Sequence, residues 1–159
     1  MKLVLTTNNA DETMHIGKTL SKVLKAGDIL LFYGGLGAGK TTFTKGVASG
    51  LGIDDHIHSP TFTLIHEHYG KNLKLYHVDL YRIESLEEIE NLGIDECIYS
   101  QAITLIEWSE KFGNNLPQNR IDIKIKHQGD FLREIIFESE SHKNILENFG
   151  KELNLECTS

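Results

Sequence analysis

Cysteine is nearly absent from this sequence: Cys97 and Cys157 are the only two, far apart and outside any paired metal-ligand spacing. That excludes a disulfide framework and a zinc site as organising principles, and both residues read as plain thiols. Long apolar runs are missing too. Nothing approaches the roughly 20 apolar residues needed to cross a bilayer. The opening stretch MKLVLTTNNADE turns polar and acidic before it could form the apolar centre and cleavage site of a secretory signal. A cytoplasmic address is the expectation. Positive charge is scarce: 16 Lys and Arg against 23 Asp and Glu leave a formal net charge of -7. Binding a nucleic-acid backbone relies on clustered Lys and Arg, so this chain is not expected to grip RNA alone; if RNA takes part, a partner holds it. Arginine is confined to Arg82, Arg120 and Arg133, scattered along the chain. This disfavours a nucleotide or small-molecule kinase, which needs several arginines to clamp the transferred phosphoryl group. No N/T-K-x-D segment is present to read a guanine base.

What remains is 159 residues, 40% hydrophobic and 25% charged, enough for one well-built core and too few for two. Strand and helix patterns alternate along it. Residues 2–6 read as a short strand. Residues 10–25 read as a helix capped by Asn8 or Asn9, with Asp11 and Glu12 in the first turn and Gly27 closing the segment. Residues 29–33 form a continuous apolar run, as in a strand buried on both faces, and 41–51 read as a helix ended near Gly52. Residues 61–68 and 73–78 are strand-like and flank YGKN, a hairpin turn. Ser85 with Glu88 marks a capped helix over 85–91, and 103–106 is another buried strand. Residues 120–126 and 131–138 form a final strand pair. In 141–155, Ile145, Phe149 and Leu153 share one helical stripe.

Between the apolar run and the second helix lies GGLGAGKT, residues 34–41, which satisfies G-x-x-x-x-G-K-[ST] in the strand-to-helix setting that motif requires. Glycines allow a tight turn whose N–H groups point inward at a polyphosphate. Lys40 supplies a cation for the β- and γ-phosphates, and Thr41 offers a hydroxyl to Mg²⁺. The helix adds the positive end of its dipole. The candidate nucleotide-binding set is therefore Gly35, Leu36, Gly37, Ala38, Gly39, Lys40, Thr41 and Thr42. Such a loop needs a second acid for its metal, and two apolar strands end in one: LKLYHVD runs into Asp79 and ITLIE into Glu107. Either could coordinate metal or activate water. Thr61, in HSPTF, is placed where nucleotide switches carry a hydroxyl that senses the γ-phosphate.

GGLGAGKTTFTKG, SPTF, LYHVDLYRI, SLEEIENLGIDE and LIEW occur in the order found in the TsaE family, formerly YjeE: small bacterial ATPases of tRNA threonylcarbamoyladenosine synthesis. The chain resembles that family over roughly residues 3–137. SPTF, HVDLYR and IEW together are far more specific than the glycine loop, which recurs across many NTPases. The resemblance implies an α/β, P-loop NTPase-like three-layer fold with a mixed, mainly parallel central sheet and antiparallel additions. It implies ATP and Mg²⁺ as ligands and a place beside the TsaB and TsaD proteins, which modify the adenosine next to the tRNA anticodon, so that tRNA is met through the complex. The chain is expected to divide into a P-loop ATPase domain over 1–140 and a C-terminal tail over 141–159, which the apolar stripe reads as helical and the resemblance leaves unassigned. Carried over residue by residue, Lys40, Thr61 and Glu107 become the catalytic candidates, Thr41, Asp79 and Glu107 the metal candidates. The chain departs from the family patterns at Gly35, where Asp is usual, and beyond residue 140, where the match ends.

The reading leaves rivals open: a nucleotide-gated adaptor with little hydrolysis, or a small-molecule kinase on the same loop. Of the eight histidines, His56, His58, His66, His68 and His77 cluster in the middle of the chain. They read as surface residues rather than metal ligands; His77 resembles the family's residue just before the metal-linked acid, which implies a contact with that acid. Trp108 either stacks on a base or anchors a partner, or packs at the core edge. The acidic run ESLEEIENLGIDE either docks a basic partner or forms a solvated helix face.

Overall fold

In the computed structural model, which describes residues 1–54 and 56–155, strands and helices alternate as the patterning predicts. The order is β1 (Lys2–Thr7), α1 (Ala10–Ser21), β2 (Ile29–Tyr33), α2 (Lys40–Gly50), β3 (Ile65–Tyr69), β4 (Lys74–Asp79), α3 (Leu86–Asn91), α4 (Ile94–Ile98) and β5 (Ile103–Glu107). A single 3-10 turn (Ser109–Phe112) then leads to β6 (Ile121–His127), β7 (Arg133–Glu138) and α5 (Lys143–Glu152). Cys157 lies outside the described residues. Among those residues, no helix is long and apolar enough to cross a membrane.

The seven strands form one sheet in the order β1-β7-β6-β2-β5-β4-β3. Its four inner strands β6, β2, β5 and β4 run parallel. Strands β7 and β1 at one side and β3 at the other are antiparallel additions. Strand β2, ILLFY, sits at the centre because both its faces are apolar. Leu30 and Phe32 point into a core covered by α1, α2 and α5, and Ile29 and Leu31 into a second core covered by α3, α4 and the 3-10 turn. This is the three-layer P-loop fold, with the carboxyl ends of the parallel strands opening on one edge.

Local chemistry explains most element boundaries. Asn9 caps α1 by accepting a hydrogen bond from the Glu12 amide at 2.9 Å, and Ser85 caps α3 by accepting one from the Glu88 amide at 3.3 Å. Helix α1 stops at Ser21 rather than continuing to residue 25. There the Ser21 hydroxyl turns back to Lys18 O, and the amides of Lys22 and Val23 bond three residues back, to Thr19 O and Leu20 O, tightening and ending the helix. Helices α1 and α2 approach so closely that a Cβ at Gly46 would fall onto the backbone of Met14, and one at Gly17 onto that of Phe43. The chain beyond residue 140 contributes α5, which buries Ile145, Leu146 and Phe149 in the first core. The rings of Phe32, Phe43, Phe137 and Phe149 pack one on the next, edge-on or tilted, with centroids 5.0–6.0 Å apart.

Strand β3 begins at Ile65, not at residue 61. Residues 61–64 turn instead, with Leu64 at φ 68° and its amide on Pro60 O. The hairpin over YGKN forms as expected, closed by the Gly70 amide on Leu73 O at 2.9 Å.

Candidate functional site

The chain leaves β2 at Tyr33 and passes so close to β6 that a Cβ at Gly34 would lie 2.7 Å from Ile125 O. Gly37 and Gly39 adopt φ of 72° and 108°, a region that residues with a Cβ rarely enter, and the Ala38 amide closes a tight turn onto Gly35 O at 3.2 Å. Helix α2 starts at Lys40 with Gly39 as its N-cap, and the Phe43 amide, on Gly39 O, is the first to return a helical bond. The amides of residues 40–42 are thus the uncommitted first turn of a helix, directed with its positive dipole end at the space in front.

That space is a cleft of about 330 Å³ lined by residues 36–42 together with Ser59, Thr61, Asp79, Tyr81, Glu107 and Trp108. The fold therefore gathers Leu36, Gly37, Ala38, Gly39, Lys40, Thr41, Thr42, Thr61, Asp79 and Glu107 around one opening at the carboxyl ends of β2, β4 and β5. Gly35 stands outside the lining, and a side chain there would meet nothing within 4 Å.

The two acids come from neighbouring parallel strands. Asp79 ends β4 and Glu107 ends β5, in register with one another, and both are nearly fully buried. Their partners differ. Asp79 Oδ2 accepts hydrogen bonds from Ser59 Oγ at 2.7 Å and Thr61 Oγ1 at 2.9 Å, and its Oδ1 accepts one from the Tyr81 amide at 2.9 Å. These bonds to a charged acceptor hold residues 59–61 beside the cleft and explain why Thr61 does not enter a strand. Glu107 Oε2 lies 2.8 Å from His77 Nε2. A carboxylate can only accept, so with Glu107 ionised Nε2 is the donor; His77 Nδ1 has no hydrogen-bond partner among the described residues. The sequence pointed His77 toward the acid that follows it; the sheet instead turns it onto Glu107 of the adjacent strand.

Lys40 is 6% exposed. Its Nζ donates to Gly34 O at 2.7 Å and sits 3.9 Å from the centre of the Trp108 ring. Burial pushes its pKa below the usual lysine value, opposed by the charges of Glu107, Glu110 and Asp79. Trp108 occupies the left-handed region at φ 60°, which turns its ring over Lys40 and against Tyr81, 5.1 Å away. A non-glycine residue there directly after an acidic strand end marks a backbone held for its site.

Hard oxygen donors at Thr41, Asp79 and Glu107 suit Mg²⁺, which binds through one or two carboxylates and completes its shell with water and phosphate oxygens. Among the described residues there is no group of three or more His, Cys, Asp or Glu that could hold a metal ion. His56 and His58 are exposed as expected. His68 and His77 are buried, contrary to a surface reading, because β3 and β4 pack them against the sheet's neighbours. No arginine lines the cleft. Arg82 stacks on the exposed Phe62 at 4.2 Å, Arg120 binds Asp122, and Arg133 binds loop carbonyls.

The family whose description reads "Threonylcarbamoyl adenosine biosynthesis protein TsaE" matches residues 7–135. A Bacillus subtilis protein named tRNA threonylcarbamoyladenosine biosynthesis protein TsaE is 50% identical over 131 residues, 82% of each chain. A Treponema pallidum protein of the same name is 40% identical over 129 residues, 81% of this chain and 95% of that one. The crystal structure of Bacillus subtilis YdiB matches this fold with a TM-score of 0.84 at 39% identity, covering 97% of both chains.

Proposed function

The chain belongs to the TsaE family of threonylcarbamoyl adenosine biosynthesis proteins, and on that premise we propose that it is the ATP-binding and ATP-hydrolysing member of the pathway. It acts in the cytoplasm with the TsaB–TsaD pair on the adenosine next to the tRNA anticodon. The observation that carries this reading is the convergence of Lys40, Thr41, Thr61, Asp79 and Glu107 on one cleft in front of an uncommitted helix N-terminus.

The amides of residues 40–42 and the Lys40 ammonium hold the β- and γ-phosphates, Lys40 leaving Gly34 O and the Trp108 face to do so. Thr41 and Asp79 would hold Mg²⁺, the three hydrogen bonds to Asp79 leaving its carboxylate about one lone-pair site to spare. Bound Mg²⁺ supplies the charge neutralisation that phosphoryl transfer requires. Glu107, oriented by His77, accepts a hydrogen bond from the attacking water and orients it. Thr61, joined to Asp79, brings residues 59–61 over the γ-phosphate and reports its presence.

A cleft with one lysine and no arginine lacks part of the positive charge a dissociative transition state demands, so hydrolysis by the isolated protein is slow and rises when the partner pair completes the site. The same shortage of arginine favours a second reading, a nucleotide-gated adaptor whose ATP state sets partner affinity; comparison of ATP with a non-hydrolysable analogue separates the two. The test of the primary reading is Thr61→Ala. It should keep most ATP affinity by calorimetry while losing much of the partner-stimulated rate. A variant stimulated like the wild type would remove Thr61 from the mechanism.

A further inference from the structure

Arg133 carries a charge that the proposed chemistry leaves unused, and its surroundings are unusual. Its guanidinium is surrounded by five backbone carbonyls. Nε donates to Ala38 O at 3.0 Å and Nη2 reaches Gly37 O at 3.4 Å. Nη1 donates to Leu132 O at 2.9 Å, Asp130 O at 3.2 Å and Gly129 O at 3.3 Å. One edge of the fork therefore grips the glycine loop, 95 and 96 residues away in sequence, and the other grips the turn between β6 and β7.

The peptide unit is rigid and trans, so a carbonyl fixed on one side fixes the next amide on the opposite side. Holding Ala38 O toward the hairpin turns the Gly39 amide away from it, toward the cleft that Gly39 lines. Holding Gly37 O does the same for the Ala38 amide, which closes the turn onto Gly35 O. Glycines at 35, 37 and 39 make this loop the least self-determined stretch near the site. Arginine's planar fork can constrain two successive peptide units at once; a lysine, with a single point of charge, reaches one.

We propose that Arg133 is a positioning residue for nucleotide binding: it locks the carbonyls of Gly37 and Ala38 to the β6–β7 turn, which turns the Gly39 amide into the cleft and fixes the loop that delivers the phosphate-binding amides of residues 40–42. The inference rests on the nucleotide reading of the cleft but assigns a role to a residue that touches neither phosphate nor metal. Preorganisation of this kind acts on ATP and ADP alike, because both present a β-phosphate to the loop, and it acts on affinity more than on the chemical step.

The test compares wild type, Arg133→Ala and Arg133→Lys by calorimetry with Mg·ATP and Mg·ADP, by steady-state hydrolysis and by hydrogen exchange of residues 36–42 without nucleotide. Arg133→Ala should weaken both nucleotides about tenfold, the order of one charge-assisted hydrogen bond. The loss should fall on KM with little change in kcat, and guanidinium at sub-denaturing concentration should restore part of the affinity of Arg133→Ala while leaving wild type unaffected. Arg133→Lys should fall between the two, and loop amides should exchange faster in both variants. Should Arg133→Ala not fold, Arg133→Lys carries the same comparison. Folded variants with wild-type affinity for both nucleotides and unchanged loop exchange would overturn the proposal. A wild type that binds neither nucleotide would instead defeat the functional reading, and the exchange data would still decide whether Arg133 orders the loop.

Discussion

Replacing Lys40 by alanine separates what this side chain does in the free protein from what it does for a ligand. In the free cleft the ammonium makes one short hydrogen bond, to Gly34 O, and lies on the Trp108 ring. Both are favourable, yet burial works against the charge, so truncation should leave the fold close to wild-type stability. In the proposed nucleotide complex the same ammonium would face two phosphates, each contact worth about 1.5–3 kcal/mol. The carbonyl bond and the ring contact given up offset roughly 2 kcal/mol of that gain. The net loss of Mg·ATP affinity is then about 1–4 kcal/mol, or roughly 5- to 700-fold. Isothermal calorimetry measures it, circular dichroism checks the fold, and the emission of Trp108, the single tryptophan, follows the release of Lys40 from its ring when nucleotide enters. A folded Lys40→Ala protein with unchanged affinity would refute the phosphate role of this residue and of the cleft around it.

The two acids should yield different phenotypes. Asp79→Asn exchanges charge-assisted for neutral hydrogen bonds to Ser59 and Thr61 and should weaken Mg²⁺-dependent binding by about 1–2 kcal/mol. Glu107→Gln should mainly slow hydrolysis; a metal titration in which Glu107→Gln alone loses Mg²⁺ affinity would exchange the roles. Gly46→Ala should force α1 from α2 because the obstacle is the Met14 backbone. Overpacking by about 1–3 kcal/mol, at roughly 2–4 °C per kcal/mol, sets the expected drop in Tm; calorimetric melting at wild-type Tm would contradict the helix contact. Burial, then Glu96 and Glu67, push the Cys97 thiol pKa up, against Lys74. Folding therefore favours the neutral thiol, a contribution complete below the unfolded pKa of about 8.5 and lost as pH rises through the higher folded value. Iodoacetamide at pH 8, followed by peptide mapping, should label Cys97 only after denaturation.

The parts of this site legible in the sequence are those whose chemistry is local. The glycine loop declares itself because a tight turn, a lysine and a helix start must be contiguous, and the caps at Asn9 and Ser85 are equally short-range. Asp79 and Glu107 are recognisable as acids ending apolar strands. That they stand side by side follows from β4 lying next to β5, a matter of sheet order that no spacing expresses. Residues 61–64 carry the threonine and aromatic content of a strand, and two hydroxyl bonds to Asp79 override that propensity. Helix α1 follows its pattern only until the hydroxyl of Ser21 competes for the backbone. Helix α4, with five residues, and the 3-10 turn, with four, are too short to show a period. The His77–Glu107 pair and the five-carbonyl cage around Arg133 join residues 30 to 96 positions apart or close a hairpin turn locally. Neither leaves a motif, and the only hint available was a histidine within a buried strand.

The central claim is that this cleft hydrolyses ATP and that the TsaB–TsaD pair supplies what it lacks. The most direct measurement is phosphate release from Mg·ATP by the purified protein, alone and with both partners, at saturating nucleotide in one buffer. A slow basal rate that climbs severalfold or more with the pair, and falls to background in Lys40→Ala, is the predicted result. A rate unaffected by the partners, or one that persists without Lys40, would contradict it.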